Sequence, residues 1–208
     1  MAEETSKLES ITDNYMDILK ELGNIGAGNA TTAVADMIGL KIDMKVPKVK
    51  LLGFQELATA ICPEDEVIAG IYFQVQGGIE GSMMFLLPLK SAHYLVNTLM
   101  MRDLDYEEPF DEMDLSALKE IGNIIAGSYL SALAELTHMM ISPSTPSIAI
   151  DMEASILSVP AIEFGQFGDD ALLIETEIAG DISIDGYYIL LPEPDSYDKI
   201  LNSLGITM

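Results

Sequence analysis

The stretch Asp17-Ile-Leu-Lys-Glu-Leu-Gly-Asn24 decides how this chain is interpreted, because the sequence contains it twice. Its second copy, Ser116-Ala-Leu-Lys-Glu-Ile-Gly-Asn123, lies 99 residues further on. At the same offset, Pro47 recurs as Pro146. A register that is kept from the beginning of the motif to this proline predicts an internal duplication of the chain.

Both copies are predicted to be helical, with their polar residues on one face. Residues spaced i, i+4 and i+7 lie on the same side of a helix. The residues that share a face in this way are Asp17, Glu21 and Asn24 in the first copy, and Ser116, Glu120 and Asn123 in the second. Each glycine inside a helix is unfavourable by roughly 1 kcal/mol relative to alanine. We therefore interpret the repeated glycines of both copies as positions where another chain approaches the helix closely.

Composition excludes several classes of protein. The chain has 208 residues, of which 49% are hydrophobic, and this is enough for a sizeable core. A formal charge of −24 argues against nucleic acid as a partner, and solubility explains that charge as well as an acidic docking surface does. A single cysteine, no apolar run of about 20 residues and a polar start are the features expected of a soluble cytoplasmic protein.

The elements are predicted to follow the same order in both halves. For the first half we predict a helix from Ser10 or Thr12 to about Met37 after frayed residues 1–9, a strand over 41–52 interrupted at Pro47, a short helical or irregular piece over 54–62, strands over 67–76 and 81–87, and a helix over 89–101. After an acidic linker over 102–114, we predict a helix to about Met139, strands over 147–158, 171–178 and 186–191, and a helix near 195–204. Each half is then α-β-β-β-α.

The predicted fold class is α+β. Two such repeats, about 10–105 and 106–208, are expected to share one antiparallel sheet with helices packed on it, related by a pseudo-twofold axis within a single domain, 1–208. The acidic linker lacks the central glycine of a calcium loop.

Most enzyme templates do not fit the residues present. His93 and His138 are the only histidines, and we interpret both as surface or packing residues. No zinc motif, phosphate loop or serine elbow occurs in the sequence. What remains are the paired glutamates and asparagines of the repeat. An asparagine amide both donates and accepts hydrogen bonds, so it can hold a water in line with a phosphorus atom. A single copy is better explained as a solvated helix surface; two copies favour a site.

The repeated pattern resembles the signature of the CheC-type phosphatases of bacterial and archaeal chemotaxis, [Asp/Ser]-x3-Glu-x2-Asn-x22-Pro. The first copy meets it from Asp17 to Pro47 and the second from Ser116 to Pro146. Two complete signatures place the chain nearest the CheC branch, because the CheX-like members keep one and the FliY-like members add a further domain. The resemblance covers essentially the whole chain.

The resemblance implies hydrolysis of the phospho-aspartate of the response regulator CheY. It implies that Asn24 and Asn123 orient the attacking water and that Glu21 and Glu120 contact a lysine of the receiver. No cofactor or metal of its own is expected, and Mg²⁺ is expected on the receiver. The receptor deamidase CheD is a further expected partner, and a monomer is expected. The alternative is a non-catalytic binding module that sequesters the phosphorylated receiver or CheD.

Overall fold

The protein is described from a computed structural model, in which the described residues are 2–53, 56–57, 61, 66–164, 170–179 and 183–205. The first half contains helix α1 (Ala2–Ile38), strands β1 (Asp43–Gly53), β2 (Val67–Gly77) and β3 (Gly81–Pro88), and helix α2 (Leu89–Leu99). The second half contains helix α3 (Glu112–Thr137), strands β4 (Ile141–Pro143) and β5 (Ser147–Met152), helix α4 (Glu153–Phe164), strands β6 (Asp170–Ala179) and β7 (Ser183–Pro192), and helix α5 (Pro194–Ser203). The predicted α+β class is confirmed.

All seven strands form one antiparallel sheet in which the two halves exchange strands. The order begins β1-β6-β7-β3-β2, and β4 and β5 then both pair with β2, one after the other along its length. Each half therefore gives its first strand to the hairpin of the other half, because β1 pairs with β6 and β5 pairs with β2. The two hairpins meet where β3 pairs with β7. This arrangement has the predicted pseudo-twofold symmetry, with the axis between β3 and β7.

The repeated proline marks the same interruption in both edge strands. The register of β1 against β6 shifts between Lys45 and Lys48, the interval that contains Pro47. In the second half, Pro146 lies in the gap between β4 and β5. Proline has no N–H to donate to a ladder, and it is tolerated at edges and bulges. The predicted interruption at Pro47 is therefore confirmed.

The sheet is covered on both faces. Helices α1 and α3 pack on the first face, where the strands contribute side chains such as Phe73, Phe85 and Tyr188. The second face carries a smaller cluster in which Ile156 and Leu157 of α4 pack on the strands. Because helices cover both faces, residues 82–87 of β3 are all buried, and five of these six residues are apolar.

The prediction of a strand over 147–158 was wrong beyond Met152. The chain turns into α4 at Glu153, and Ile156 and Leu157 then cover the second face of the sheet. Residues 56, 57 and 61 are also helical, and Leu57 and Ile61 belong to the same cluster. The rest of the predicted piece over 54–62 lies outside the described residues. The α-β-β-β-α order is therefore incomplete, because it omits the helical segment behind the sheet.

Two predicted helix boundaries also differ from the structure. Helix α1 begins at Ala2, so residues 2–9 continue the helix instead of fraying. Ala, Glu, Lys and Leu in this segment are favourable helix formers, and they extend the helix toward the N-terminus. The acidic linker is also shorter than predicted, because it ends at Asp111, which caps α3.

We expect neither half to fold alone, because each half lacks the edge strand that the other supplies. Fragments 1–105 and 106–208 should each lack a cooperative thermal transition, whereas the intact chain should unfold in one step. When the two fragments are mixed, they should recover the circular dichroism spectrum of the intact chain, since all exchanged strands are then present. A cooperative transition in either isolated fragment would contradict the exchanged arrangement.

Candidate functional site

The first copy of the motif lies in the middle of α1 with its polar face in solvent. Asp17, Glu21 and Asn24 are all exposed, whereas Leu19 and Leu22 between them are buried in the core. The helix is therefore fixed by its apolar side, and the carboxylate and the amide are accessible to another molecule. The predicted shared face is present in the structure.

The second copy lines an open groove on α3. Glu120 is exposed and Asn123 is half-buried. The groove has a volume of about 490 Å³ and lies between the helix and the segment that joins β4 to β5. Its lining residues are Ser116, Lys119, Glu120, Asn123, Pro143, Ser144, Thr145 and Pro146. The proline that ends the sequence signature is thus brought next to the glutamate and asparagine that begin it.

The wall of this groove is held by strand β2. Ser144 follows the short strand β4, and its backbone N–H donates to the carbonyl of Gln74 at 2.8 Å. In return, the N–H of Gln74 donates to the Ser144 hydroxyl oxygen at 3.0 Å. The side chain of Ser144 thereby replaces a missing ladder partner at the interruption before Pro146.

The sequence did not indicate four residues of the groove, which are Lys119, Pro143, Ser144 and Thr145. Lys119 recurs in the repeat, as Lys20, but it was given no role, and it lines the groove beside Glu120. Ser144 and Thr145 have no counterpart in a repeated motif, because the first copy has Lys45 and Val46 at those positions. Their only signal was the position just before Pro146.

Three glycines of the two motif helices are explained by packing within the chain: the repeated pair Gly23 and Gly122, and Gly26, which has no counterpart in the second copy. A Cβ added at Gly23 would lie 3.0 Å from a methyl group of Val46 in β1, and one at Gly122 would lie 2.7 Å from Ile71 in β2. A Cβ at Gly26 would lie 2.5 Å from the ring of Tyr129 in α3. The close neighbour at these three positions is a segment of the same chain, whereas the prediction was the approach of another chain.

Tyr129 joins both motif helices to the sheet. Its ring fits against Gly26 of α1 and stacks on Tyr188 of β7, with ring centroids 4.4 Å apart. The hydroxyl of Tyr188 donates to the sulfur of Met83 at 2.9 Å. Burial raises the pKa of Tyr188 well above its ordinary value, and the charge of Tyr129 adds to the effect. Tyr188 therefore stays neutral, and its stacking with Tyr129 contributes packing that fixes the position of the helices.

The start of α3 is fixed by an acidic cap. The carboxylate of Asp111 accepts from the N–H groups of Met113 and Asp114 at 2.8 and 2.9 Å, and Asp114 accepts from the N–H of Asp111 at 3.2 Å. Arg102 contacts the buried Asp114 at 2.8 Å, and this hydrogen bond is the main cause of the raised pKa of Arg102. Part of the acidic segment is therefore structural, because it begins the helix that carries Glu120 and Asn123.

The histidines lie away from both motif faces. His93 is buried in α2 and stacks on Phe110, with ring centroids 4.2 Å apart. His138 is exposed and ends α3 in a left-handed conformation, with φ of 55°. Within the described ranges, no three side chains of His, Cys, Asp or Glu come together as a metal site would require.

Proteins with known structures share this fold. The crystal structure of Thermotoga maritima FliY superposes with a TM-score of 0.74 at 23% identity, covering 91% of this chain and 95% of that chain. The FliM middle domain from Helicobacter pylori superposes with a TM-score of 0.62 at 12% identity, covering 93% of this chain and 98% of that chain. These neighbours define the architecture, a shared sheet flanked by helices.

The sequence relates the chain to a narrower group. Residues 16–51 and 113–150 match the sequence model of the CheC-like family, and these two spans contain both copies of the signature. A Bacillus subtilis protein named CheY-P phosphatase CheC is 38% identical over 208 residues, covering 98% of this chain and 100% of that protein. The chain therefore belongs to the CheC-like family, as the signature predicted. In the part of the chain that the structure describes, none of the helices is both long and apolar enough to cross a lipid bilayer.

We expect Gly26→Ala to destabilise the protein although alanine is the better helix former. The added methyl group meets the Tyr129 ring, and overpacking of this kind costs about 1–3 kcal/mol. The free energy of unfolding in urea measures the change. Gly28→Ala is the matched control, because a Cβ there meets no heavy atom of the described residues within 4 Å. That variant should be more stable by about 1 kcal/mol. Equal effects of the two substitutions would contradict the packing role of Gly26.

Proposed function

We propose that this protein hydrolyses the phospho-aspartate of the chemotaxis response regulator CheY. The observation that carries the proposal is the presence of two complete Glu/Asn pairs on separate helices, of which Glu21, Asn24 and Glu120 are exposed and Asn123 is half-buried beside an open groove. The relative at 38% identity, named CheY-P phosphatase CheC, supports the same substrate.

In the proposed mechanism, each asparagine positions the attacking water. The amide oxygen of Asn24 or Asn123 accepts a hydrogen bond from the water, which leaves a lone pair of the water oxygen aimed at phosphorus. The new P–O bond forms as the bond between phosphorus and the aspartate oxygen breaks. The receiver regains its carboxylate, and inorganic phosphate leaves with the protons of the water. The amide takes no proton, so its contribution is orientation.

The glutamates are proposed to hold the receiver. Glu21 and Glu120 each precede the asparagine by three residues, so the carboxylate reaches one side of the bound phospho-aspartate while the amide reaches the phosphorus. A lysine on the receiver is the partner that the family resemblance implies. Mg²⁺ on the receiver would neutralise the developing charge on the phosphoryl oxygens. The net charge of −24 would also speed encounter with a positively charged docking face.

Substitution of the asparagines should remove catalysis and leave binding. Asn24→Ala and Asn123→Ala should each lower the rate of phospho-receiver decay, and the double variant should reduce it to the spontaneous rate. Because a positioned water contributes mainly to the chemical step, kcat of the double variant should fall by about 10²-fold or more while KM changes little. Decay of radiolabelled phospho-receiver measures both constants.

The double variant also separates catalysis from sequestration. If the protein only sequesters the receiver, neither the wild-type chain nor the double variant should accelerate the decay of phospho-receiver. Both proteins should then give the same decay rate. Asn29→Ala is the control, since it removes another exposed amide of α1 that lies outside the motif. Full acceleration by a correctly folded double variant would remove the proposed role of the asparagines.

Charge reversal of the glutamates should weaken binding more than chemistry. Glu21→Lys or Glu120→Lys places like charge against the lysine of the receiver, so KM should rise about tenfold or more, in line with the cost of mispaired charges at an interface. Added salt should weaken wild-type binding as well. Glu135→Lys, an exposed position near the end of α3, controls for the change in net charge. A KM that responds equally to all three variants would indicate long-range steering and no specific contact.

Binding of CheD and a monomeric state stay predictions from the sequence. Sedimentation of the protein alone, and then with CheD, tests both.

A further inference from the structure

One pair of repeated glycines has no packing role within the described residues. Gly28 is exposed and Gly127 is half-buried, and both lie inside long helices. A Cβ added at either position has no heavy atom of the described residues within 4 Å. Alanine would fit at both positions and would favour the helix. The fold therefore gives no reason for glycine at the same place in both copies.

The other repeated pair shows what a packing glycine looks like in this chain. Gly23 and Gly122 are buried, and a Cβ at either one would lie 3.0 Å or less from a side chain of the sheet. Gly28 and Gly127 are instead on the outer side of the helices. The space next to them is occupied by none of the described residues.

That space adjoins the proposed catalytic amides. Gly28 follows Asn24 by four residues, and Gly127 follows Asn123 by four, so each glycine is one turn away on the same face of its helix. A side chain at either position would stand next to the amide, where a docked protein must come close. The same arrangement occurs on α1 and on α3, the two copies of the repeated helix.

We infer that the main chain of the phosphorylated receiver lies directly against the helix at Gly28 and at Gly127. This inference rests on the proposed function. In it, the glycines determine how close the amide comes to the phospho-aspartate. A side chain at either position would act as a spacer between the helix and the receiver. Since a displacement of about 1 Å in an active site can cost about 10²-fold in rate, the absence of a side chain is a catalytic requirement.

The experiment enlarges one glycine at a time in a chain with a single working site. Gly28→Ala and Gly28→Leu are made with Asn123→Ala, and Gly127→Ala and Gly127→Leu are made with Asn24→Ala. We expect each alanine variant to melt about 2–4 °C higher than its parent, because helix propensity improves and nothing clashes. The same variants should hydrolyse phospho-receiver about tenfold more slowly, and the leucine variants about 100-fold more slowly.

Ala33→Leu is the matched control for added bulk. Ala33 is exposed on α1 and follows Asn24 by nine residues, which is about two and a half turns, so it lies on the opposite side of the helix. This variant should keep the parental rate. If Gly28→Leu and Gly127→Leu also keep the parental rate, the inference is wrong. A lower melting temperature for Gly28→Ala would likewise overturn it, because the glycine would then be explained by packing within the chain.

A binding measurement separates this inference from the proposed activity. The receiver charged with beryllium fluoride and Mg²⁺ mimics the phosphorylated form without being hydrolysed. The parent chains should bind it, and the leucine variants should bind it at least tenfold more weakly. If the wild-type chain binds this receiver but does not accelerate phosphate release, the proposed activity fails while the glycine contact is still tested by binding. If wild-type and leucine variants bind equally, the contact fails while the activity can stand.

Discussion

The exchange of edge strands between the two repeats is the constraint on which the rest of the structure depends. Each motif helix is followed by strands that pair with the other half. Helix α1 leads into β1, which pairs with β6, and α3 leads into β4 and β5, which pair with β2. The helix packs on its own edge strand, as the contact of Gly23 with Val46 shows for α1. Both motif helices therefore lie on one face of a single sheet, whose strands are joined by backbone hydrogen bonds, and side-chain packing holds the helices against it.

Within that frame, side-chain volume divides each motif helix into an inner and an outer surface. On the inner side, glycines admit Val46, Ile71 and the ring of Tyr129, and this brings the helices close to the sheet and to each other. On the outer side, the glutamates, the asparagines and two further glycines face solvent or a groove. Glycine thus occurs on both surfaces, and the surroundings of the two sets of glycines differ. Packing rigidity on one side keeps the amide on the other side in a constant position.

Repetition made much of this architecture predictable. The shared face of Glu21 and Asn24, the hairpins and the interruption at Pro47 all followed from spacing and from the second copy of the motif. Helix α4 was missed because Ile156 and Leu157 belong to a short apolar run, which periodicity alone cannot assign to strand or helix. The exchange of strands was not predicted, since two equivalent halves are compatible with pairing within or between repeats. The groove wall at Ser144 was missed because it depends on a contact with Gln74, 70 residues away.

The exchanged sheet also has a consequence for how the two halves can evolve. Such a chain is the covalent equivalent of a homodimer whose subunits trade strands, but fusion releases it from the symmetry of a homodimer. Gly26 corresponds by offset to Ile125, and Tyr129 corresponds to Ala30. A homodimer would have to carry both the tyrosine and the glycine on each helix, whereas here Tyr129 and Gly26 each occur once. Duplication has thus allowed the two helices to form this contact once, without its symmetric copy, and it leaves the two Glu/Asn pairs free to diverge.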